Sequence, residues 1–107
     1  MENIIRVKDY PGLTSKARAI VRETGINPVM AGYEMLVKGI VIVKVKKNTE
    51  NLYNEIAMQS SVVPSFKPLT VKEEERHPVK QQILEGMRSA GIESDVKFFI
   101  KELAEEM

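Results

Sequence analysis

The sequence predicts an all-α fold, a small helical bundle, and three observations predict it. Apolar residues recur at the i, i+3, i+4, i+7 spacing of a helix face along much of the chain. Pro and Gly divide it into pieces of helix length, with no low-complexity linker and no internal repeat. With three Tyr, three Phe and no Trp, the core must come mainly from Val, Ile, Leu, Met and Ala, which suit packed helices. At 107 residues, 43% hydrophobic and net charge +1, the chain has the size and balance of one folded domain, residues 1–107.

Taken in order, residues 1–13 read as an N-terminal extension. After Pro11-Gly12, Thr14 is placed to cap a helix over 15–24, with Ala17, Ile20, Val21 and Thr24 on one face and Gly25 at the stop. Asn27-Pro28 offers an N-cap followed by proline at the first helical position, where its missing N–H costs nothing. The helix that follows carries Met30, Tyr33, Leu36 or Val37, and Ile40, and Gly32 and Gly39 narrow it so that another backbone can come close. Residues 39–47 read two ways. Their β-branched side chains, with Val41, Val43 and Val45 alternating against Lys44 and Lys46, have the pattern of a strand as well as a helix. The alternative fold is therefore α+β with a short strand at 39–47, although only 4–7 or 61–63 offer it a partner, and the residues alone leave both readings open.

Further on, Leu52, Tyr53, Ile56 and Ala57 define a short helix ending near Gln59, and 60–68 reads as a loop broken by Pro64 and Pro68. Thr70 and Glu73 match a capping box. His77-Pro78 starts a new helix or kinks the existing one; its stripe is Val79 or Lys80, Ile83, Leu84 and Met87, closed by Ala90-Gly91. Ser94 is placed to cap the closing segment, 94–107, where Val96, Phe99, Ile100, Leu103, Ala104 and Met107 share a face.

Composition removes several chemistries. Zero cysteines exclude disulfides, thiol catalysis and thiolate zinc sites. One histidine and no glycine-rich phosphate loop leave little for nucleophilic catalysis, so no catalytic residue, metal ligand or cofactor is expected. The cluster Glu73-Glu74-Glu75-Arg76-His77 reads as a solvated helix start, because consecutive helical residues point apart and acids in a first turn already favour the helix dipole. No window approaches a membrane span and no apolar leader is visible, which sets the expectation of a cytoplasmic protein with no membrane partner. Charge is unevenly spread: residues 1–47 carry nine Lys/Arg against four acids, and the remainder seven against eleven. A basic face for a polyanion is therefore available.

Particular residues add a family likeness. Ile20-Val21-Arg22-Glu23-Thr24-Gly25 is followed, seven residues after the glycine, by Gly32-Tyr33 and then Leu36 and Ile40. A second block is Leu52-Tyr53-Asn54-Glu55-Ile56-Ala57, and a weaker one is 84–91. In these blocks the chain resembles the C-terminal DNA-binding effector domain of the master sporulation response regulator of spore-forming Firmicutes. The resemblance implies an all-helical, effector-like core over 15–93, with 40–47 helical and a helix-turn-helix whose second helix enters the major groove. A receiver domain is not expected beside it, since 107 residues cannot hold both.

The expected function is a small transcription regulator that binds duplex DNA through a helix-turn-helix formed by about 50–59 and 70–90. By residue type, Gln81 and Gln82 suit adenine edges and Arg76 or Lys80 guanine, with His77 and Arg88 as further contacts and Lys44, Lys46 and Lys47 on phosphates. A homodimer through the apolar stripe of 96–107 would pair half-sites. The alternative is a protein-interaction module that keeps the scaffold and has lost DNA binding, a reading favoured by the acidic start Glu73-Glu74-Glu75.

Overall fold

The run that reads as either strand or helix is helical. A computed structural model describes residues 5–60 and 69–107, and places 40–46 in the last turns of a long central helix. The helices of the described residues are α1 (Pro11–Glu23), α2 (Ala31–Lys46), α3 (Leu52–Met58), α4 (Val71–Glu75), α5 (Pro78–Ser89) and α6 (Val96–Glu105), with a single 3-10 turn at Val7–Asp9. Among those residues no strand forms.

Burial decides the ambiguity. α2 packs against α1, α3, α5 and α6, and its Ile40, Val41 and Ile42 are fully buried. Each such side chain removed from water stabilises the fold by about 1.5–3 kcal/mol. A β-branched residue in a helix costs at most about 0.7 kcal/mol relative to alanine, so packing outweighs propensity. Gly32 serves as its position suggests, lying against the main chain of α5 at Gln82, whereas the nearest neighbours of Gly39 are the side chains of Ile56 and Ile100 and not another backbone.

Several boundaries differ from the sequence reading. α1 begins at Pro11, and Thr14 lies inside its first turn, where its hydroxyl donates to the Tyr10 carbonyl at 2.8 Å instead of capping. Asn27 forms a turn before α2, its Oδ1 accepting from the Val29 N–H at 3.0 Å, so the helix starts at Ala31 without a side-chain cap. Asp95, not Ser94, caps α6 by accepting from the Phe98 N–H at 3.1 Å. Thr70 caps α4 as its motif predicts, and Gly25 and Gly91 follow α1 and α5 in left-handed conformation at φ 88° and 73°. The loop expected at 60–68 lies, from 61 onward, outside the described residues.

Two further expectations change. The N-terminal segment is no loose extension: Val7 is buried, and the Gln59 side chain accepts from the Val7 N–H and donates to the Ile5 carbonyl. The stripe expected to make a homodimer is spent within the chain. Val96, Ile100, Leu103 and Ala104 are buried on α6, which packs against α1, α2 and α5. Phe98, on the outer side, is 56% exposed.

Candidate nucleic-acid interface

α5 lies in the stretch 70–90 that the family resemblance implies for the major groove. Its apolar positions Val79, Ile83, Gly86 and Met87 are buried, holding one face against α2 and α3. At 3.6 residues per turn the opposite face is centred on Gln81, Glu85 and Arg88, all exposed. Lys80 and Gln82 flank that line and are half-buried. Arg76, between α4 and α5, is exposed. Gln81 is held back toward α4, its Nε2 donating to the Glu75 carbonyl at 2.7 Å. α5 thus carries Lys80, Gln81, Gln82 and Arg88 together with the carboxylate of Glu85, and Arg76 lies at the end of α4, two residues before it.

His77 does not belong to that surface. It is only 6% exposed and caps α5, its Nδ1 accepting from the Val79 N–H at 3.1 Å. That bond makes Nδ1 the bare nitrogen, so Nε2 carries the proton and donates to Asn54 Oδ1 at 3.2 Å. With both ring nitrogens engaged inside, His77 is corrected from a DNA contact to a structural cap. Sequence reasoning placed Tyr53 and Asn54 in the block 52–57 but did not bring them to His77. Tyr53 lies beside the imidazole with ring centroids 5.8 Å apart, and Lys97 stands 5.3 Å over the Tyr53 ring while bonding Glu74 at 3.1 Å. α3, α4, α5 and α6 therefore meet in one polar knot.

Burial lowers the His77 pKa from its ordinary value of 6.5, with Glu74 opposing in part. Burial, reinforced by Asp95 and Glu74, raises the Tyr53 hydroxyl. A His with a lowered folded pKa binds fewer protons folded than unfolded, so its contribution is complete above the unfolded value of 6.5 and is lost as pH falls toward the folded one. Protonation also places a donor on Nδ1 opposite the Val79 N–H. Chemical denaturation at pH 7 and pH 5 is therefore expected to show a fall in midpoint that is smaller in His77→Asn, which keeps an acceptor at the cap. Equal falls in both proteins would overturn this.

The lysines expected on phosphates are mostly engaged. Lys46 pairs with the buried Glu55 carboxylate at 2.7 Å and donates to the Glu50 carbonyl at 2.9 Å. Lys44 donates to the main-chain carbonyl of Met107 at 2.9 Å. Lys47 is exposed, in left-handed conformation at φ 64°, just past α2. The three lysines therefore do not form one open cationic strip. Lys72, exposed on α4, is a cation the sequence reading did not single out; it stands four residues before Arg76, across Glu73-Glu74-Glu75.

Tyr33 and Tyr53 are buried core residues, not stacking platforms. Among the described residues no group of three His, Asp or Glu side chains stands close enough to hold a metal ion, and no helix is long and apolar enough to cross a membrane. Compared with known proteins, the chain matches no family model, no curated protein and no solved structure.

Proposed function

We propose that the chain is a small helical DNA-binding regulator that reads duplex DNA with the outer face of α5. The observation that carries this is the disposition of α5: its apolar face is buried on α2 and α3, while Gln81 and Arg88, seven residues apart, lie exposed along the opposite side. A glutamine amide pairs with adenine N6 and N7, and an arginine guanidinium with guanine O6 and N7. Arg76, Lys80 and Lys72 supply cations for the flanking phosphates.

Fluorescence anisotropy with mixed-sequence duplex tests this. With about three phosphate contacts, affinity should fall about fortyfold between 50 and 200 mM salt, and Lys80→Glu should weaken binding and flatten that slope. On a selected site, Gln81→Ala should cost about 1–3 kcal/mol and relax one base position. No binding at 50 mM salt would sink the proposal.

A second reading, an interaction module that partners or antagonises another regulator, draws on a different observation. Val71 on α4 is 74% exposed and Phe98 on α6 is 56% exposed, and the Glu74–Lys97 ion pair ties those two helices together. This reading requires that the two join in one exposed apolar patch, since single apolar side chains on a surface are ordinary. The engaged states of Lys44 and Lys46 point the same way.

A further inference from the structure

A hollow of about 580 Å³ lies among the N-terminal segment, α1, α2 and the end of α3. That volume falls within the range of small-molecule sites, roughly 300–1,000 Å³. Its rim carries four cations, Arg6, Lys8, Arg18 and Lys38, against the single carboxylate of Glu34. Arg18 pairs with Glu34, and that bond is the main reason the guanidinium pKa rises. Among the described residues Arg6 and Lys8 form no ion pair. The Lys38 ammonium donates only to neutral oxygens, the Gln59 carbonyl at 2.7 Å and the Ser60 hydroxyl at 3.2 Å. Three positive charges around the hollow are thus left without a paired carboxylate.

The open apolar surface of the hollow is Met58, which is 44% exposed at the end of a helix otherwise buried from Leu52 to Ala57, and beneath it lie the core residues Val7 and Val37, 7% and 1% exposed. Gln59 fixes the wall in advance by bonding the main chain of Val7 and Ile5, so the cleft does not depend on a ligand to assemble it. A second hollow of about 520 Å³ shares Glu34, Lys38 and Gln59 with the first and extends to Pro78 and Gln82 of α5.

We propose that this cleft binds a small amphiphilic anion, with the head group among Arg6, Lys8 and Lys38 and the apolar body along Met58, over the buried Val7 and Val37. Cations that lack carboxylate partners attract the head, and the apolar surface takes up the chain. The proposal is independent of duplex binding by α5.

The test titrates the ¹⁵N-labelled protein with decanoate, the probe, below its micelle concentration. Shifts should concentrate at Val7, Val37 and Met58, and the Arg6→Gln/Lys8→Gln variant, altered only at exposed side chains, should bind at least tenfold more weakly at low salt. Decyltrimethylammonium, with the same chain and the opposite charge, should leave those amides unmoved. Absence of shifts at millimolar decanoate, an equal response to the cation, or undiminished affinity in the double variant would each overturn the proposal.

Discussion

Gly32→Ala is expected to destabilise the fold by about 3 kcal/mol or more, lowering the melting temperature by roughly 15 °C. A methyl group at this position would stand 2.3 Å from the Gln82 carbonyl oxygen, 2.8 Å from its carbonyl carbon and 3.0 Å from the Ile83 Cα. All three are main-chain atoms, so no rotamer change relieves the overlap. α5 as a whole would have to withdraw by about an ångström to restore ordinary contact. The helix propensity gained on replacing glycine by alanine, at most about 1 kcal/mol, does not offset this. Thermal and denaturant unfolding would measure it, and a loss below about 1 kcal/mol would show that α5 can shift freely.

The second large effect belongs to the contact between α2 and α3. Ile56→Ala is expected to cost about 3 kcal/mol, since Ile56 is fully buried and its removal leaves a cavity. Its Cδ1 lies 3.1 Å from where a methyl at Gly39 would stand, with Ile100 Cδ1 at 3.2 Å. Those neighbours are the ends of flexible side chains, so Gly39→Ala alone should change stability by about 1 kcal/mol or less, well below Gly32→Ala. In the Ile56→Ala background the added methyl enters the vacated space. The double variant should therefore be more stable than the sum of the single effects by about 0.5–1 kcal/mol. Strict additivity would mean that the two positions do not share that space.

Much of the architecture was legible because local chemistry marks it. Gly25, Gly91, Thr70 and Pro78 each act through a backbone requirement that the chain carries in plain view. The middle of α2 was not legible from periodicity. Its residues 39–43 are all buried, so the pattern there merges into the continuous apolar run of a buried strand. The capping errors share a cause: Thr14, Ser94 and Asp95 are all acceptable cap residues, and the choice between neighbours depends on where the chain enters the helix.

The interface residues divide in the same way. Gln81 and Arg88 are exposed, as a helical reading of 78–89 expects, and Arg76, before that helix, is exposed as well. His77, Lys44 and Lys46 look like surface residues in isolation, and they are engaged by Asn54, Met107 and Glu55. The Asn54 and Met107 pairings span 23 and 63 residues, separations that no spacing rule reaches.

The position of α2 has a consequence for how the molecule comes apart. Each of α1, α3, α5 and α6 rests on it, so none of them can leave without opening part of the same wall to water. The cost of detaching any one of these helices is then set by α2 as much as by the helix that departs. Such an arrangement favours a single cooperative transition over stepwise fraying, and partial unfolding is left to elements that do not lean on the centre, such as α4.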